Sequence, residues 1–185
     1  MTPRVIGIDL SLTSTGLADF THNGREVVTK TIRSSPADGD SGQHSRLTRI
    51  VFEITEHVSS QGPHPALVVI EGPSYGSKGA GTWDRAGLWW LLIDRLVGLH
   101  HPFAIVPPAT LKRFATGRGN ATKTDMAVAL AKRTDGLELR DDNQVDAWWL
   151  GAAGRDHLGL PFVKVPQTHR DALVKVAWPE VTRGH

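Results

Sequence analysis

Apolar and polar positions alternate or cluster along this chain in a way that divides it into strands and helices. Val5-Ile6-Gly7-Ile8 opens a first strand running from Arg4 to Leu12, and Thr15 to Phe20 and Glu26 to Ile32 read as two more. The last two are joined through His22-Asn23-Gly24, whose Asn-Gly pair is a strong hairpin signal. The fold therefore begins with three antiparallel strands. Residues 34–45 form a polar loop, and from Arg46 to Val58 the residues Leu47, Ile50, Val51, Ile54 and Val58 recur at helical spacing, ending before Gly62-Pro63. Ala66 to Ile70 is a continuous apolar run suited to a central parallel strand. A helix from Thr82 to His100 and a short strand from Phe103 to Val106 follow. Two helical pieces then flank Gly117-Arg118-Gly119-Asn120, with Thr122 as N-cap of the second. Another helix occupies the segment from Arg140 to Gly154, and an amphipathic helix is predicted around Arg170 to Trp178. The class is α/β, a mixed five-stranded sheet of three antiparallel and two parallel strands flanked by helices.

Two carboxylates stand where this pattern should bury them. Asp9 shares a strand face with Val5 and Gly7, while Ile6, Ile8 and Leu10 point the other way, so both faces are covered. A buried carboxylate is costly unless a cation neutralises it. Asp9 is thus a metal or phosphate site candidate, the plainer alternative being an aspartate that caps a turn. Glu71 arrives in the same way at the end of the run Ala66 to Ile70. In the segment RDDNQVDAWW, Asp141 or Asp142 caps the helix. Asp142 and Asp146 then lie at i and i+4, with Asn143 three residues before Asp146, on one side of it. Trp148 and Trp149 start an apolar surface that would dock this helix on the sheet.

Composition adds exclusions more than assignments. The 185 residues fit one domain with a proper core, drawn as a unit over residues 1–159 with an extension over 160–185 that packs on it or on a partner copy. With no cysteine, disulfides, thiolate metal sites and a cysteine nucleophile are excluded. No apolar run reaches the ~18 residues of a membrane span and no signal peptide opens the chain, so a cytoplasmic protein with no membrane partner is expected. The net charge of +2 is too weak to announce a polyanion, but its distribution is uneven. Lys112, Arg113, Arg118, Lys123, Lys132 and Arg133 crowd one segment beside a glycine turn, an arrangement suited to a phosphate backbone. The loop from Gly72 to Gly81 is glycine-rich, carries Tyr75 and Lys78, lacks P-loop spacing and reads as a mobile substrate loop. Helix 82–100 contains six successive apolar residues, Leu88 to Ile93, and needs cover on every side. The sheet supplies one side; the other is a candidate subunit interface, or is covered by the C-terminal segment. The nine histidines show no ligand spacing and read as helix-end or surface residues.

Taken in order, GIDLSLTSTG, VVIEG, PPATLKRFATGRGNATK and DDNQVDAWW resemble the RuvC family of Holliday junction resolvases over about residues 4 to 155. The resemblance implies an RNase H-like fold and a homodimer that nicks two strands of a four-way DNA junction symmetrically, in recombination or repair. It also implies four acidic residues that collect two divalent ions, normally Mg2+ with Mn2+ as substitute. By position, Asp9, Glu71 and Asp146 match three of the acids. The fourth stands three residues before the last, where this chain has Asn143, and Asp142 is the neighbouring acid that could serve instead. Lys112 and Lys123 match basic residues near the scissile phosphate and along the DNA, and Tyr75 falls near an aromatic that wedges at the crossover. The chemistry agrees, since a phosphodiester transition state gathers charge on oxygens and hard oxygen ligands select magnesium or manganese. Two other functions are weighed. GIDLSLTSTG also resembles the first phosphate loop of actin-like and sugar kinases, although 185 residues leave little room for their two lobes. The other is a junction-binding protein that has lost cutting with the acid replaced by Asn143.

Overall fold

The computed structural model describes residues 3–21, 26–60, 62–73, 81–135, 137, 139 and 141–181. Its sheet has the order β3-β2-β1-β4-β5, with β1 at Val5–Asp9, β2 at Ser14–Phe20, β3 at Val27–Arg33, β4 at Leu67–Glu71 and β5 at Phe103–Val106. β1, β2 and β3 are antiparallel; β4 pairs parallel to β1 and β5 parallel to β4. This is the mixed sheet expected from the pattern. The Asn23-Gly24 turn lies outside the described residues, but Phe20 pairs with Val27 on either side of it.

Two helical layers cover the sheet because odd and even positions of its strands point to opposite sides. Ile6, Ile8, Leu17, Val68 and Ile70 face α1 (Gly39–Ser60) and α2 (Thr82–Gly98). Val5, Ala18, Phe20, Leu67 and Val69 face α5 (Asp142–His157), with α3 (Pro108–Thr116) and α4 (Lys123–Ala131) packed beyond it. α1 begins at Gly39, inside the segment read as a loop. Its first turns are polar and largely exposed, so they carry no apolar period.

α5 meets the sheet through small residues. A Cβ on Gly7 would fall inside the Ala147 carbonyl oxygen, and one on Gly16 inside that of Asn143. Gly151 and Gly154 give the same room to Phe20 and to Val5 and Val69. Of the two tryptophans expected to dock the helix on the sheet, Trp148 does so at Phe20 of β2, and Trp149 points to α3 and α4. Trp148 sits against Phe20 and Phe162, with ring centroids 5.5 and 5.9 Å away, while Trp149 turns to Phe114 at 6.0 Å and donates Nε1–H to the Met126 carbonyl. A single apolar face could not serve both, because α5 is covered on all sides.

The C-terminal segment packs on this same layer. α6 (Gln167–Arg170) and a 3-10 turn at Asp171–Lys175 replace the helix expected over Arg170 to Trp178. Three contacts hold the segment to α5 and the sheet: Phe162 on Phe20, Trp178 stacked on His157 at 4.3 Å, and Arg170 on Asp156 at 2.8 Å. It therefore leaves α2 uncovered, with Trp83, Trp90 and Val97 exposed at seven-residue intervals. At the opposite end of β1, Arg4 is buried against Asp19 at 2.6 Å and donates to the carbonyls of His57, Val58 and Pro63. His57, in the last turn of α1, and His101, just after α2, are helix-end residues as expected, and both are buried because α1 and the turn before β5 close over Arg4. Among the described residues no helix is long and apolar enough to cross a membrane.

Gly7→Ala is expected to lose about 1–3 kcal/mol in denaturant unfolding, since α5 must retreat from the sheet. Gly98→Ala, whose Cβ meets open space, is expected to leave stability unchanged or slightly raised. Equal effects of the two would refute direct contact of α5 with β1.

Candidate active site

β1 and β4 run parallel and end side by side. Their last paired residues are Ile8 and Ile70, so Asp9 and Glu71 extend adjacent strands roughly 4.8 Å apart. Both share parity with the face that α5 covers. The helix contacts at Asn143 on Gly16 and Ala147 on Gly7 bracket Asp146 and bring it over the end of β1. Asp141 caps α5: it accepts from the Gln144 backbone N–H at 2.9 Å and from the Thr31 hydroxyl at 2.8 Å. The strand ends of an open α/β sheet are where such proteins bind ligands, because the polar helix termini and loops converge there.

All three acids hold their protons more tightly than usual, first because they are buried. Burial pushes Asp9 up to about 8, with the charges of Glu71 and Asp146 adding to the effect. Glu71 is raised to about 7 by burial and by Asp146, against the opposing pull of Lys112, Lys123 and a hydrogen bond from Asp9. Asp146 is raised to about 6 by burial, opposed by Lys123 and Lys112. Carboxylates raised by desolvation and by each other mark a place where negative charge is held in want of a cation.

The cations nearest to hand come from α3 and α4. Lys112 lies on α3, and Lys123 opens α4 just after Thr122, which closes a capping box with Asp125. Lys123 Nζ is 3.2 Å from Asp142 Oδ2 with both side chains more than half exposed. Its pKa is raised by that hydrogen bond first and then by the charges of Asp142, Asp146 and Asp9. An exposed pair of this kind contributes little stability and is readily exchanged.

The sequence candidates thus divide. Asp9, Glu71, Asp146, Lys112 and Lys123 are brought within electrostatic reach of one another. Asp142 is tied to Lys123 and raises Asp146. Asn143 is half-buried, and its carbonyl is the contact on Gly16. Arg113 is exposed on α3, and Arg118 pairs with Asp125 at 3.1 Å instead of with the acids. Tyr75 and Lys78 lie outside the described residues. Asp141, weighed in the sequence as a cap, also adds its charge to the field at Asp9. No group of three or more His, Asp or Glu among the described residues is closed as a ready metal cage. The donor set still fits a hard divalent cation, because it consists of oxygens whose mutual repulsion such an ion would relieve.

No protein-family model and no curated protein sequence matches the chain. Solved structures do. The RuvC structure of Thermus thermophilus superposes with a TM-score of 0.66 at 18% identity, covering 88% of this chain and 99% of that one. The fold is that of RuvC. The T. thermophilus RuvC in complex with a Holliday junction substrate gives a TM-score of 0.68 at 19% identity, over 89% and 99% of the two chains. The resemblance in sequence is therefore matched by topology over almost the whole of RuvC.

An acid with a folded pKa above its unfolded value holds its proton more tightly in the native state, so it withdraws stability as pH rises between the two values. For Asp9 that window runs from 3.8 to about 8. In metal-free buffer, Asp9→Asn is expected to raise the thermal midpoint by several degrees at pH 8 and to leave it nearly unchanged near pH 4. A pH-independent difference would show that Asp9 is not protonated in the native state.

Proposed function

We propose that this chain is a divalent-metal-dependent endonuclease that resolves four-way DNA junctions by paired symmetric nicks, acting as a homodimer in the cytoplasm of its cell or host. The observation that carries the reading is the meeting of Asp9, Glu71 and Asp146 from β1, β4 and α5, flanked by Lys112 and Lys123. The fold that frames them is shared with a RuvC solved on a Holliday junction substrate.

Asp9, Glu71 and Asp146, with Asp142 or Asn143, are the residues that would hold two magnesium ions, manganese substituting. Bound there, such ions supply positive charge to phosphoryl oxygens and acidify water. The chain's own part is electrostatic. Lys123 and Lys112 neutralise a phosphate drawn to the strand ends, and Lys123 can leave Asp142 for it because their pair is solvated. Arg113 and Arg118, exposed on and after α3, extend the cationic surface along a strand. Tyr75 and Lys78, which follow Glu71 in the sequence, are the further residues assigned to DNA contact. The exposed Trp83, Trp90 and Val97 on α2 supply an apolar face for a second copy.

A cleavage assay comparing a synthetic four-way junction with linear duplex, with and without magnesium, tests the reading. Metal-dependent nicking of the junction is expected, with Asp146→Asn lowering the rate by about 10²–10³. Undiminished cutting by that variant would remove Asp146 from the site. Tight junction binding with no cutting in either metal would favour instead a structure-selective DNA binder, the reading suggested by Asn143 at the position of the fourth acid.

A further inference from the structure

Three arginines gather at the end of the sheet that carries Asp9, in a cleft whose lining holds no acid. Arg33 ends β3, and Arg46 and Arg49 lie about one turn apart on α1. With Thr13, Ser34 and Ser45 they line an open cleft of about 660 Å³ to which no acidic side chain contributes. Arg46 is its anchor. Its side chain is buried, with Nε donating to Ser34 Oγ at 2.9 Å, Nη2 to the Leu12 carbonyl and Nη1 to Gln43 Oε1 at 3.5 Å. All three acceptors are neutral, and among the described residues no carboxylate pairs with it.

A guanidinium does not discard its proton at any ordinary pH, so burial cannot neutralise Arg46 as it neutralises Asp9. The charge stays, and an uncompensated buried charge is costly. The other two arginines are lightly held. Arg33 is 3.5 Å from Asp141 with its side chain 71% exposed, and Arg49 reaches Glu53 along α1 with 48% exposure. Such pairs exchange easily for a better anion.

Position narrows the anion. Thr13 and Ser34 follow the ends of the β1–β2 turn and of β3, at the same end of the sheet as Asp9. Arg33 touches Asp141, the cap of the helix that carries Asp146. It also lines an adjoining polar cleft of about 540 Å³ with Lys30, Thr29 and Asp141, in which two cations face one acid along β3. Guanidinium and hydroxyl groups in series are what a nucleic-acid backbone meets on a protein.

We propose that the cleft formed by Arg33, Arg46 and Arg49 is a second phosphate-backbone site, which takes a phosphodiester of the DNA strand on the β3 side of the acid cluster. It rests on the nuclease reading above and positions the substrate without reading its bases.

The test is the salt dependence of junction binding in EDTA, where metal-dependent cutting is off. Each neutralised phosphate contributes about 0.9 to the slope of log K against log salt. The double variant Arg33→Gln, Arg49→Gln is expected to lower that slope by about 1–2, leaving Arg46 in place to hold Leu12 and Ser34. Arg95→Gln, exposed in the last turn of α2 at the far end of the sheet, is expected to leave it unchanged. An unaltered slope in the double variant overturns the cleft and leaves the nuclease reading standing. A parent protein that binds no DNA at any salt concentration overturns both.

Discussion

Everything at the acidic end of this molecule depends on how closely α5 can lie on the sheet. Backbone meets backbone at Gly7 against Ala147 and at Gly16 against Asn143, with no side chain between them. Layers of helix and sheet are ordinarily spaced by interlocking side chains. Here that spacing is absent along one line, and the first turns of α5 reach the ends of β1 and β2 as a result. Asp146 is delivered by this contact, and so is the cap at Asp141 that ties α5 to Thr31 and Arg33. The bulk missing from that line appears on the helix's other sides, where Trp148 and Trp149 fill the space towards the C-terminal segment and towards α3 and α4.

Close approach has an electrostatic cost that the chain does not cancel internally. Asp9, Glu71 and Asp146 are desolvated together, and two lysines at the rim offset only part of their repulsion. Asp9 hydrogen-bonds Glu71, and Lys123 forms a solvated pair with Asp142. Both are contacts that added positive charge or a phosphate would displace. Strain of this kind is commonly kept at functional sites, where local choices run against stability.

The other end of the sheet shows the opposite policy. Arg4 donates to Asp19 through two of its nitrogens and spends its remaining reach on three carbonyls of α1 and the segment after it. A buried ion pair with all its donors engaged is tolerable, and breaking one partner of it is strongly destabilising. Charge is thus satisfied where β1 begins and left unsatisfied where it ends. β1 is the central strand that joins a charge-paired end to an acidic one.

The strands, their order of use, the burial of Asp9 and Glu71 and the cap before Lys123 were all legible in the chain, because they follow from local period and from the few residues that begin and end elements. The helix-sheet contact was not. Glycines at 7 and 16 say that something comes close, but neither says which helix, and of the two adjacent tryptophans only Trp148 meets the sheet, at Phe20. The start of α1 at Gly39 escaped for want of any apolar residue in its first turns, and nothing in the apolar period of that helix singled out Arg46. Whether a charge has a partner is a property of what folds next to it, contributed from residues tens of positions away. The sequence by itself placed Asp9 and Glu71 at the ends of buried strands; only the tertiary structure decided that Asp146 would meet them, that Asp19 would be buried against Arg4, and that three arginines would line a cleft with no acid in its lining.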